Sequence, residues 1–291
     1  MIRREDMANS IELRKQYSTM LDLVYKKSSL TSILDGPSNL IREGANANEI
    51  LIPKMSMQGL ANYDKSAGYV NGDVTLDYET VKCTYDRGRK FNIDAMDNIE
   101  SADIAFGRLA GEFIRTQVVP ELDAWRFSQY AQISGITTAS GALADGKATL
   151  AALRAARNAI EDAEGDVSTC YLFINPALVG MVEDLDTTAS KRALEGWAGI
   201  VRVPSARFYT KIDLTAGGAG GFAKNAEGKA INFMAIDRNS AIQYQKHTVP
   251  KTISPEQNQS ADAYMYAYRT VGMCDAYENK VKGIYCHHVG E

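Results

Sequence analysis

Apolar positions recur at three- and four-residue spacing from residue 96 to residue 134, the longest such stretch in the chain. Ile99, Ala102, Phe106, Leu109 and Phe113 fall on one helical face. Val118, Leu122 and Trp125 continue the stripe, with Phe127, Tyr130 and Ile133 beside it. Asp97 and Glu100 stand in capping-box positions at the start, and Ser134-Gly135 marks the stop. Pro120 lies inside. It lacks a backbone donor and crowds the preceding turn, so a bend or break is predicted near residue 117. Unbroken, this helix would span roughly 50 Å, more than a compact domain of this size needs, which points to a flat body.

The rest of the chain divides by period. Residues 8–35 begin as an amphipathic helix that needs a docking surface, and Gly36-Pro37 ends it. Between 40 and 95 the period falls to two. Residues 49–53 read as a short strand closed by Pro53, a Gly/Asn/Asp-rich loop follows, and Asn71-Gly72-Asp73 signals a turn. Residues 74–95 alternate without a strongly apolar face. Such a ribbon is not stable alone, so it is expected to project and to lean on something outside its own fold. Residues 136–147 read as a linker and 148–164 as an Ala-rich helix. Residues 169–174 form a buried strand, and Asn175-Pro176 opens a second helix to about residue 185. Residues 186–204 are mixed, 202–209 suggest a strand, and 215–230 a flexible loop. Residues 231–236, 241–247, 263–271 and 281–289 supply the remaining strands, with a polar loop between the second and third of these. The class is α+β.

The chain has 291 residues, 45% hydrophobic and 23% charged, enough for one large or two ordinary domains and outside the disordered classes. A net charge of −4 argues against a broad grip on nucleic acid. No apolar run long enough for a membrane span is present, and the first residues lack a signal-peptide core, so a chain that stays in the cytosol at synthesis is expected. Cys83, Cys170, Cys274 and Cys286 lie far apart and suit free thiols in a reducing compartment. Cys286-His287-His288 points to alternate faces of a strand and converges poorly on a metal. A nucleotide loop at Gly217, Gly218, Gly220 and Gly221 would need a helix next, but a strand follows, so these glycines read as a hairpin tip. His247 reads as a solvent-facing side chain. Asp94, Asp97, Glu100 and Asp103 suit a helix start better than a catalytic pair. No catalytic residue, cofactor or metal is therefore expected. Arg87, Arg89 and Lys90, beside Asp86, put three cations into the ribbon, where Asp64, Asp73, Asp77 and Glu79 also lie. With Tyr63 and Lys65 they form a candidate contact surface between subunits, nucleic-acid contact being the weaker alternative.

Four stretches carry a resemblance: EGANANEILIPKM at 43–55, YDRGRKFNIDAMDN at 85–98, EFIRTQVVPELDAWRFSQYA at 112–131 and YLFINPALVGMVED at 171–184. In their order and spacing the chain resembles the major capsid proteins of tailed bacteriophages, the Johnson fold shared with encapsulins. The resemblance implies an N-terminal arm at 1–45, an extended loop at 46–95 lying over the adjacent subunit, and a peripheral domain with a spine helix at 96–144 and 231–291. It implies an axial domain at 145–230 whose tip carries Gly217, Gly218, Gly220 and Gly221. It further implies pentamers and hexamers of an icosahedral shell around phage DNA, assembled in the host cytoplasm and located in the virion. The implied partners are other copies, a portal protein, a separate scaffolding protein and a decoration protein, with non-specific proximity to packaged DNA and no membrane. An encapsulin-type nanocompartment is the alternative within this class. A nucleotide-using α+β enzyme and a ring-forming tail or decoration protein stand outside it.

Overall fold

The computed structural model describes residues 28–36, 42–43, 49–63, 65, 68–96, 104–216 and 220–290. The first half holds strands β1 (Arg42–Glu43), β2 (Glu49–Met57), β3 (Val74–Lys82) and β4 (Tyr85–Asp94). Helix α1 (Ile104–Phe113), a π-helical turn (Ile114–Val118), α2 (Val119–Gln132), β5 (Thr137–Ser140) and α3 (Gly146–Asp162) follow. The second half holds β6 (Cys170–Ile174), α4 (Pro176–Glu183), α5 (Thr188–Leu194), β7 (Gly199–Arg202), β8 (Ile212–Leu214) and β9 (Phe222–Lys224). It ends with β10 (Ile231–Asp237), β11 (Ala241–Ile253), β12 (Ala263–Ala276) and β13 (Ile284–His288).

The helix through residues 104–132 is continuous, and the disturbance expected near residue 117 is the π turn. Pro120 has no N–H for the carbonyl four residues back. One wider turn absorbs the mismatch, the Val119 N–H donating to the Ile114 carbonyl. The expected start signals, Asp97 and Glu100, lie outside the described residues. The helix stops at Gln132, short of Ser134-Gly135: Ile133 is already extended, and Gly135 takes φ +88° in the turn beyond. Residues 121–128 are all buried, charged ones included, so α2 is a core helix rather than a surface one.

A five-stranded mixed sheet in the order β5-β13-β10-β6-β7 lies against it. Strand alternation gives the sheet two apolar faces. Leu172 and Ile174 pack with Leu153, Ile160 and Val182 of α3 and α4, whereas Phe173, Met234 and Ile284 pack with Leu122, Trp125 and Phe127 of α2. The result is a layered α/β body. Strands β6 and β10 pair from Ile174↔Phe233 to Cys170↔Asp237, so hydrogen bonding runs across the position where a domain boundary at 230/231 was expected. A second sheet, β11-β12-β4, and the β8–β9 hairpin complete the described strands outside the ribbon.

Several expectations are corrected. Strand β2 runs through Pro53, which is tolerated because β1 covers only Ile50 and Leu51, leaving an open edge there. Its partner is β3, with Ile52↔Glu79 and Met57↔Val74 in register. The ribbon therefore closes through residues 58–73 rather than at a tight Asn71-Gly72-Asp73 turn. Residues 85–94 leave the ribbon and pair with β12, Tyr85↔Gly272 to Asp94↔Ala263. Alternation marks a strand but cannot name its partner. The 136–147 segment is not merely a linker, since β5 joins β13 in parallel. Thr187 caps a short helix within the mixed stretch, and the strand expected at 202–209 ends at Arg202, before Pro204. Strand β11 continues to Ile253 at a sheet edge, with a bulge beside His247, and β12 reaches Ala276. His247 thus lies within a strand. The segment 278–283 is a 3-10 turn, so the final strand starts at Ile284. The N-terminal helix lies outside the described residues except for its end, where Ser32–Leu34 form one 3-10 turn.

Candidate interaction surface

The ribbon carries an apolar surface that the described residues of the chain leave exposed. Every described residue from 55 to 78 is exposed except half-buried Gly68. Met57 is 68% and Tyr69 89% exposed, and Leu60, Val70, Val74 and Leu76 join them. Tyr63 and Tyr69 meet edge to face with ring centroids 5.0 Å apart. Contiguous exposure of this kind marks a surface that another molecule covers. The ribbon is held in shape by cross-strand contacts, among them Ser56 and Thr75 hydroxyls 2.9 Å apart and the Gln58 N–H donating to the Asp73 carbonyl at 3.3 Å.

The expected contact residues separate into two groups. Tyr63, Lys65, Asp73 and Asp77 are exposed on the ribbon, and Asp77 stands opposite Lys54 across the strands. Glu79 lies opposite Ile52, while Asp64 lies outside the described residues. Arg87 and Arg89 belong to the body. Arg87 grips Glu121 of α2 with two N–H groups, at 2.7 and 3.2 Å, and also donates to the Thr215 and Gly221 carbonyls at 2.9 and 3.3 Å. The Glu121 carboxylate holds the Arg87 guanidinium above its ordinary value. Tyr85 donates to the same carboxylate at 3.1 Å, and burial pushes its phenol up. Arg269 forks onto Asp86 at 2.9 and 2.6 Å. Of the cations expected to reach a neighbour, Arg87 is therefore engaged within the chain, while Arg89 and Lys90 are exposed. Gly217 and Gly218 lie outside the described residues. Gly220 and Gly221 take φ of +66° and +87° at the end of the β8–β9 connection. A side chain at Gly220 would strike the Arg89 guanidinium, 2.7 Å from the position of its Cβ. Arg87, Arg89, Phe91, Phe113 and Tyr268 line a cleft of about 490 Å³ at this junction.

Sequence reasoning missed the buried anchor beneath the surface. Asp123 is 0% exposed and accepts from Ser29 Oγ at 2.9 Å, Leu30 N at 3.0 Å, Thr31 N at 3.3 Å and Thr31 Oγ1 at 2.6 Å. Arg126, 1% exposed, donates to Thr31 Oγ1 at 2.9 Å and to Asp35 at 3.3 Å. Gln243 of β11 donates to the Thr31 carbonyl and to Asp35, both at 2.7 Å. This network clamps residues 29–36 to the core. One signal was present: charges at 121, 123 and 126 interrupt the otherwise apolar run 118–127, and buried charges demand partners.

Among the described residues, no cluster of three or more His, Cys, Asp or Glu could hold a metal ion, and no helix is long and apolar enough to cross a membrane. Burial pushes the thiols of Cys170, Cys274 and Cys286 up to about 12, so they carry almost no reactive thiolate near neutrality. The folded chain is expected to release at most one equivalent of thionitrobenzoate, from half-buried Cys83, and four after unfolding in guanidinium. Rapid release of two or more from the native chain would contradict this burial.

No protein-family model matches the sequence, and no curated protein matches it. Solved structures do match the fold. A structure of Mycobacterium phage Che8 aligns with 89% of this chain and 90% of its own, with a TM-score of 0.59 and 11% identity. The capsid of cyanophage P-SCSP1u aligns with 86% of this chain and 86% of its own, at a TM-score of 0.56 and 10% identity. A virus-like particle from Pyrococcus furiosus covers 93% of this chain and 99% of its own, at a TM-score of 0.52 and 10% identity. The chain therefore shares a mixed α/β fold with phage capsid and virus-like-particle chains.

Proposed function

We propose that this chain is a major capsid protein of a tailed bacteriophage, building pentamers and hexamers of an icosahedral shell around DNA. The observation that carries this is the ribbon, whose apolar side chains are exposed among the described residues. Likeness to phage capsid chains over most of the length supports the same function. A neighbouring copy supplies the missing cover. Tyr63, Lys65, Asp73, Asp77 and Glu79 would lie in that contact, while Arg87 and Arg89 stiffen the junction where the ribbon leaves the body. Residues 1–45 serve as an arm anchored to the core through 29–36, 46–84 as the extended loop, 85–144 with 231–291 as a peripheral domain built on the long helix, and 145–230 as an axial domain. In that arrangement the glycines at 217–221 approach the symmetry axes. Each copy makes several modest contacts, and closure of the shell multiplies them. Function then resides in the interfaces, with no catalytic residue required; a portal protein, a scaffolding protein and a decoration protein are the further partners.

Likeness to the Pyrococcus furiosus virus-like particle favours a second reading, an encapsulin-type compartment with protein cargo. Negative-stain microscopy of the purified chain is expected to show closed particles. Rings or dispersed monomers under all assembly conditions would remove both readings. Nuclease-protected DNA in particles from the native source favours the phage shell, and co-purifying protein cargo without DNA favours the compartment.

A further inference from the structure

The sequence contains a single Asn-Gly pair, Asn71-Gly72, and the fold places it in the exposed connection that closes the ribbon. Both residues are exposed. The Asn71 amide makes no hydrogen bond among the described residues. A Cβ built on Gly72 would meet only Gln58 Oε1, 4.0 Å away, so the turn is not crowded on that side. Asn225 shows the contrast: its Nδ2 donates to Asp213 Oδ1 at 2.7 Å, and its Oδ1 accepts from the Glu227 N–H at 2.9 Å. An exposed asparagine followed by a residue without a side chain is set up for intramolecular attack.

We propose that Asn71 is a site of spontaneous deamidation, in which the Gly72 nitrogen attacks the Asn71 side-chain carbon. A bond forms between Gly72 N and Asn71 Cγ, the Cγ–Nδ2 bond breaks, and ammonia leaves carrying the proton from Gly72. The five-membered succinimide then takes up water. Opening at Cγ gives aspartate, and opening at the backbone carbonyl gives isoaspartate, which routes the main chain through Cβ. The balance is asparagine plus water to (iso)aspartate plus ammonia, with no change in oxidation state. Either product sets a new carboxylate beside Tyr69, Val70 and Val74 in the exposed apolar stretch, close to Asp73. The chemistry needs only the free chain. Its consequence, a ribbon that ages toward poorer contact until a neighbour shields it, rests on the proposed shell.

Trypsin releases residues 66–82, SAGYVNGDVTLDYETVK, a peptide with one asparagine and no glutamine, so any deamidation in it belongs to Asn71. After incubation of the folded chain in warm, mildly alkaline buffer, chromatography with mass spectrometry is expected to resolve this peptide into asparagine, aspartate and isoaspartate forms. The modified fraction should rise with pH, because the attacking nitrogen must lose its proton. Gly72→Val, which has room in the loop, is expected to abolish the conversion over the same incubation. A homogeneous 66–82 peptide from the wild-type chain, or equal conversion in Gly72→Val, would overturn the proposal. Slower conversion in assembled particles than in free chains supports the shielding; equal rates would overturn it and leave the deamidation itself standing. A chain that deamidates but never forms particles removes the proposed shell and not the chemistry.

Discussion

Replacing Asp123 with alanine is expected to destabilise the chain by about 3–5 kcal/mol, the usual cost of breaking a buried, hydrogen-bonded charge network from one side. The substitution strands four donors in the interior, two backbone N–H groups and the hydroxyls of Ser29 and Thr31. Each buried donor left unsatisfied costs about 1–3 kcal/mol, partly relieved where a hydroxyl can turn elsewhere. The charge balance also fails, since Arg126 is fully buried and Arg207 Nη1 lies 3.7 Å from the lost carboxylate. Domains are stable by only about 5–15 kcal/mol, so this one change removes a large share of the total. Urea melts read it as a drop in midpoint at unchanged slope. Thr31→Val keeps the shape and loses only the bridging hydroxyl, so a smaller drop of about 1–3 kcal/mol is expected. A loss below about 1 kcal/mol for Asp123→Ala would mean that residues 29–36 are not clamped as described.

Excising the ribbon is expected to give a folded chain that no longer assembles. Ile52 and Glu79 are cross-strand partners, so a short Gly/Ser turn can join them after removal of residues 53–78. The cut spares β4 and the buried Tyr85, which a deletion reaching residue 85 would damage. Little stability is lost, because the removed residues that are described are almost all exposed. Assembly loses much more. Covering one apolar side chain contributes about 1.5–3 kcal/mol, and every copy gives up several, among them Met57, Leu60, Tyr69 and Val70. Sedimentation should show a monomeric body and no fast particle, and a urea melt should show native cooperativity of unfolding. Intact shells from the excised chain would sink the idea that the ribbon clasps a neighbour.

What was legible in the sequence followed from local chemistry. The apolar runs read at 169–174 and 231–236 are central strands, Asn175 caps the helix after the first of them, and Pro120 marks the π turn. The alternation without a strongly apolar face fits the exposed strand at 74–82, but the same reading took in residues 85–94, whose Tyr85 and Phe91 pack on the core. Pairing over long range was not legible. Nothing in the alternation of residues 85–94 says that Ala263–Ala276 lies beside it, so Arg87 was assigned to the ribbon and to a neighbour instead of to Glu121 and the loop carbonyls. The buried clamp was hidden for a related reason. Asp123 and Arg126 look like residues of a solvated helix face until residues 29–36 are seen lying over them.

Strand β13 sits between β5 and β10, yet it follows every other strand in chain order. While a ribosome is still making the protein, β5 has no partner and β10 has a bare edge until residues 284–288 emerge. The core that positions α2 closes only with that last insertion, so an unfinished polypeptide cannot yet offer a rigid body for its ribbon to stand on. A chain cut before residue 284 is accordingly expected to leave that sheet open between β5 and β10.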